Sequence, residues 1–188
     1  MPHISLPPGL PGITAGFAFR PETAVPMREL AETLLRGPST LTSGERETIA
    51  TYVSTLNQCY FCRTSHRAAT AHHAGCSYDL VDRVCADLTS APISPKLKAL
   101  LAIAAKVQQS GKLVTSVDIE SAKSHGATDL EIHDTVLIAA AFCMYNRYVD
   151  GLGTETPQDE KLYDEMGARM AEAGYLARSA EPVAVGAD

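Results

Sequence analysis

Two cysteines three residues apart, Cys59 and Cys62, with His66 four residues later, are the part of this sequence whose residue types and spacing can do chemistry. On a helix the two cysteines are neighbours on one face and can close a small disulfide ring. A thiol is a weak nucleophile until it loses its proton, which free cysteine does near pH ~8.5. Asn57-Gln58 reads as a break between helices. That break puts the cysteine pair in the first turn of the second helix, where unpaired backbone N–H groups favour a thiolate. His66 lies one turn beyond Cys62 and can accept the thiol proton directly or through a water.

Glu47 stands twelve residues before Cys59. On one unbroken helix the two would be about 18 Å apart, too far for contact. Glu47 joins the site only if the chain turns back near Asn57 and the two helices pack as a hairpin. A carboxylate beside His66 would then orient the ring and raise its basicity.

Each of these residues also has a plainer use. A Cys-x-x-Cys pair can hold zinc or a structural bridge. His72 and Cys76 would complete a four-ligand set, but structural zinc usually props up loops in small domains. A single histidine is more often solvated or in the core, and it is the spacing from Cys62 that distinguishes His66. Glu47 has Glu45 and Arg46 beside it as ordinary surface charges. His72 and His73 fall near a helix end, where they would serve its dipole. Cys76, Cys85 and Cys143 read as small buried hydrophobes.

The elements that must position these residues are helical throughout. The first 25 residues carry Pro2, Pro7, Pro8, Pro11 and Pro21, a density that opposes regular structure and predicts an extended arm. A helical domain follows over 26–175, then a flexible tail over 176–188. Start and stop signals divide the domain into about eight helices: 26–35 before Gly37-Pro38, 42–56 with a Thr42/Glu45 capping box, the cysteine helix to Gly75, 77–88, a Ser94-Pro95 start, 116–125, 128–149, and a last helix from Thr156-Pro157 and Asp159 to 173. No segment alternates as a strand, so the fold class is all-α.

A shift of 51 residues aligns Ser43 with Ser94, Gln58 with Gln109, Thr64-Ser65 with Thr115-Ser116, Ala71 with Ala122 and Gly75 with Gly126. The matches fall at helix starts and stops, as in an internal repeat. The second copy has Ser110, Leu113, Lys98 and Val117 where the first has Cys59, Cys62, Glu47 and His66. Chemistry is then confined to one half.

Composition excludes several partners. A formal net charge of -6 argues against a phosphate-binding surface, so no nucleic acid is expected. The longest apolar run, Val136 to Tyr145, is about half of what spans a bilayer, so no membrane is expected either. The N-terminus lacks the basic start and apolar run of a signal peptide. These features predict a cytoplasmic protein, whose paired cysteines are more often redox-active than structural. No metal and no cofactor are expected.

The runs Gly44-Glu45-Arg46-Glu47 and Asn57-Gln58-Cys59-Tyr60-Phe61-Cys62-Arg63-Thr64-Ser65-His66 resemble the AhpD-like, carboxymuconolactone decarboxylase superfamily, in particular its peroxidase-related members. Leu34 to Ser39 and Asn146 to Gly153 are similar to that subgroup too. The resemblance covers about Ile4 to Gly153. It implies a helical bundle with an internal repeat, homo-oligomers and alkylhydroperoxidase-type activity. It also implies that Cys62 attacks the hydroperoxide substrate and that Cys59 resolves the sulfenic acid as a disulfide. His66 and Glu47 fall at the proton-relay positions, and an external dithiol, of lipoyl type in the best-known members, reduces the disulfide. Phe61 departs from the pattern, because the best-known member has a second histidine there, and its absence implies slower turnover. The same motif is compatible with a general disulfide reductase or redox sensor. The superfamily's other branch adds a lyase that needs no paired cysteines.

Overall fold

In the computed structural model, residues 1–176 are described, and they form nine α-helices and no strand. Helix α1 is Ile13–Phe19 and α2 is Pro21–Arg36. The site hairpin is α3, Ser43–Leu56, and α4, Tyr60–Ala74. Then come α5, Tyr78–Ala86; α6, Pro95–Gln109; α7, Ser116–Ser124; α8, Asp129–Gly151; and α9, Glu160–Ala173. A short 3-10 turn, Gly111–Leu113, precedes α7. The tail expected over 176–188 lies outside the described residues except for Leu176.

The capping signals operate as their chemistry requires. Thr42 accepts from the Glu45 N–H at 3.1 Å while the Thr42 N–H donates to Glu45 at 2.9 Å, a reciprocal capping box. Thr128 and Glu131 do the same for α8, and Ser94 caps α6 ahead of Pro95 at the first helical position. Gly75 ends α4 at φ 59°, in the left-handed region that favours glycine.

The N-terminal segment departs from the extended arm expected for residues 1–25, since it contains α1 and the start of α2. No proline lies between Pro11 and Pro21, which leaves room for two turns of helix. Pro21 stands at the first position of α2, where its missing N–H costs nothing. Pro26, expected to begin that helix, lies inside it on an exposed stretch. There the Glu22 carbonyl that it leaves unpaired can turn to water. The residues before α1 lie along the same chain: the His3 N–H donates to the Leu152 carbonyl and the Gly12 N–H to the Glu155 carbonyl, both at 2.9 Å.

The core sits where α3, α6 and α8 meet, around Leu35, Ile49, Val53, Leu100, Leu101, Ile103, Ile138 and Phe142. Each fully buried side chain of this size contributes roughly 1.5–3 kcal/mol. Helix α9 lies over α4 at close range. A Cβ on Gly167 would stand 2.4 Å from that of Ala68, so only glycine admits this approach. The 51-residue periodicity is visible in the helix boundaries, α3 and α4 recurring as α6 and the turn-plus-α7. Asn57 and Gln108, which the shift makes equivalent, hydrogen-bond each other at 2.8 Å. In the described residues no helix is long and apolar enough to cross a membrane.

Candidate active site

The chain does turn back at Asn57. The Asn57 N–H closes α3 onto the Val53 carbonyl, and Gln58 takes a positive φ of 59°. Cys59 then enters α4 as its N-cap, held by its own N–H to the Ser54 carbonyl at 3.1 Å. The two helices run back antiparallel, close enough for the Thr51 and Thr70 hydroxyls to lie 3.1 Å apart. This hairpin brings Glu47 to His66: Glu47 Oε2 and His66 Nδ1 are 2.8 Å apart.

Glu47 is wholly buried, and its other oxygen accepts from the Tyr175 hydroxyl. Removing a carboxylate from water costs several kcal/mol unless partners replace the lost hydration. Here the partners are an imidazole and a phenol rather than a lysine or arginine. The His66 ring is held on two sides, stacked on Tyr175 at 6.0 Å and 12° and edge-on to Phe142 at 4.6 Å and 88°.

Cys59 and Cys62 are both reduced and both buried, but their surroundings push them apart. Hydrogen bonding from Cys59 holds the Cys62 thiol below its ordinary value, against burial, and His66 and a hydrogen bond from Asn146 act in the same sense. That same Cys59–Cys62 bond, together with burial and the nearby Asp150 side chain, pushes Cys59 well above the normal thiol range. The acidic thiol is therefore the second of the motif, the one in the first turn of α4. Asn146 is itself fixed, accepting from Asn57 at 2.8 Å and donating to Ser54 at 3.0 Å.

Cys62 and His66 line a cavity of about 110 Å³, and Cys59 is not part of the wall. The remainder is largely apolar, with Ile13, Phe17, Met27, Phe142, Met166 and Met170. Helix α1, absent from the sequence-based expectation, thus supplies one wall. Phe61 packs edge-on to Tyr163 at 5.9 Å. It also leaves no room for a side chain at Gly12. It anchors the N-terminal segment.

Relatives sharpen this geometry. The model of the carboxymuconolactone decarboxylase family matches residues 21–106, which contain Glu47, Cys59, Cys62 and His66. The structure is similar to that of a peroxidase-related protein from Silicibacter sp., 27% identical with a TM-score of 0.74 over 82% of this chain and 78% of that one. It is also similar to an alkylhydroperoxidase AhpD core, a peroxidase-related protein from Ralstonia eutropha. There the identity is 28% and the TM-score 0.75, over 85% of this chain and 82% of that one. The family model and both structures agree in their similarity to the AhpD-like, carboxymuconolactone decarboxylase superfamily. A search of curated proteins finds no match.

The residues that sequence reasoning missed come from outside the matched segment. Tyr175 stands two residues past the end of α9, and no pattern marks a lone tyrosine there. Asn146 and Asp150 lie in the late run that resembles the peroxidase-related subgroup, so a signal existed for them without a role attached. The plainer readings also sort out. Among the described residues no three His, Cys, Asp or Glu side chains gather as a metal site. His72 pairs with Asp164 at 3.0 Å. Burial lowers the His73 pKa, so His73 gives α4 no cationic end. Cys76, Cys85 and Cys143 are only partly buried.

Proposed function

We propose that this protein is a thiol peroxidase acting on organic hydroperoxides, with Cys62 as the attacking thiol. The observation that carries the reading is the cavity: the acidic thiol and His66 open into one apolar space, with Glu47 behind the imidazole. Nδ1 of His66 is engaged with Glu47, leaving Nε2 for proton exchange with the thiol side. His66 takes the Cys62 proton, and the thiolate attacks the distal peroxide oxygen. The O–O bond breaks, Cys62 becomes a sulfenic acid, and the leaving alkoxide takes the proton back from His66 as an alcohol. Cys59 then loses its proton and displaces hydroxide from the Cys62 sulfur, giving a disulfide and water. An external dithiol, of lipoyl type, returns both thiols and is itself oxidised to a disulfide.

The apolar lining favours a hydroperoxide with a hydrocarbon body over hydrogen peroxide. We further propose a cytoplasmic location, where reduced dithiols are supplied, and assembly as a homo-oligomer. The test is consumption of cumene hydroperoxide with dihydrolipoamide as reductant. Wild type should turn over and Cys62→Ser should not; equal inertness of both ends the peroxidase reading. Disulfide exchange without peroxide consumption would point to a reductase. Lactone-acid turnover surviving a double Cys→Ser variant would point to a lyase.

A further inference from the structure

We infer that Tyr175 is a positioning residue for this site, fixing Glu47 and His66 in the arrangement that serves Cys62. A glutamate carboxyl group rotates broadly about its last torsion. With His66 alone on Oε2, the carboxylate could swing away. The Tyr175 hydroxyl on Oε1 removes that freedom. The phenol ring lies nearly parallel to the imidazole, opposing rotation of His66 as well. Burial and the Glu47 charge raise the phenol's pKa well above its usual value, so it remains a donor across the neutral range.

Tyr175 is itself fastened in place. Its N–H donates to Glu32 Oε2 at 2.7 Å. Arg36 donates to the Met170 and Ala171 carbonyls at the end of α9, at 3.0 and 2.7 Å. Gly174, at φ 76°, makes the turn, and a Cβ there would collide with Glu32 and Arg36. Three contacts from α2 and a required glycine thus set one side chain against a buried carboxylate. The charged and titratable groups around the pair are Arg28, Glu32 and Arg36 from α2, Arg46 from α3, Cys62 and His73 from α4, Tyr145 and Asp150 from α8, and Arg169 from α9.

Tyr175→Phe keeps the ring stack and removes only the hydroxyl. The readout is the pH profile of Cys62 alkylation by iodoacetamide in the reduced full-length protein, with the modified cysteine located by fragment mass spectrometry. The variant should keep its melting temperature, move the Cys62 midpoint to higher pH and slow alkylation at pH 7 about three- to tenfold, the equivalent of a half to one pKa unit. Glu47→Gln combined with Tyr175→Phe should be no slower than Glu47→Gln alone, since the tyrosine acts through Glu47. An unchanged profile in Tyr175→Phe, or effects that simply add, would overturn the inference. A rate measurement, which rests on the peroxidase reading, should show kcat falling with KM unmoved. The alkylation profile decides the role of Tyr175 whether or not the wild type consumes peroxide.

Discussion

The two halves of the repeat share a scaffold and differ in what covers it. In the first half, α9 and α1 close over α4, and Glu47 and Cys62 are buried. In the second half, Leu113 and Val117 occupy the positions of Cys62 and His66 and are 45% and 69% exposed. Lys98, at the Glu47 position, reaches the Thr89 carbonyl instead of an imidazole. The turn Gly111–Leu113 stands where the first turn of α4 would be, so no helix N-terminus faces the Leu113 position. A buried carboxylate, an acidic thiol and a largely apolar cavity all depend on elements outside the repeat. On the proposed function, the chemistry belongs to the copy that α9 and α1 cover.

The largest contrast should come from the paired sites themselves. Cys62→Ser should reduce hydroperoxide consumption to the uncatalysed level, whereas Leu113→Ser should leave it unchanged; equal losses would erase the distinction between the halves. His66→Ala should lower the rate by roughly 10²- to 10⁴-fold, the usual worth of a positioned acid–base group. Val117→Ala, its counterpart, should change stability by no more than about 0.5 kcal/mol and leave the rate alone.

The covering helix can be tested separately. Gly167→Val forces side-chain atoms into Ala68, and overpacking of this kind destabilises by about 1–3 kcal/mol. Thermal unfolding should show a fall of some 2–12 °C for a chain this size, with Cys62 becoming more accessible to alkylating reagents. An unchanged melting temperature would mean α9 does not close on α4 as tightly as the contact requires.

The smallest effect concerns pH. The thiolate fraction rises with pH, and a lowered thiol pKa moves that rise to lower pH. Cys62 should therefore be alkylated with a midpoint below the ordinary thiol value, and Cys59 with one above it. Peptide-resolved alkylation between pH 5 and 10 measures both, and the reverse order would reassign the attacking thiol.

Much of this was legible in the sequence because its signals are local. Caps at Thr42, Ser94 and Thr128 fix helix starts within one turn, and the Cys-x-x-Cys-x3-His spacing places three side chains at one helix end. Glu47 was legible only conditionally, because its contact with His66 depends on the hairpin at Asn57-Gln58. Helix α1 was hidden by counting prolines without asking where they fall: Pro11 and Pro21 bracket a helix rather than interrupt it. Tyr175 left no trace, since its place is set by α2: Glu32 holds its N–H from 143 residues away in sequence, and Arg36 holds the end of α9 before it. A motif states what a site contains, while its lid is written in long-range packing.

The most direct measurement is the mass of each cysteine-containing peptide before and after one equivalent of cumene hydroperoxide added to the reduced protein. A loss of two hydrogens confined to the Cys59–Cys62 peptide, abolished by Cys62→Ser, is the predicted result. An unmodified Cys59–Cys62 pair, with oxidation absent or confined to Cys76, Cys85 or Cys143, would contradict it.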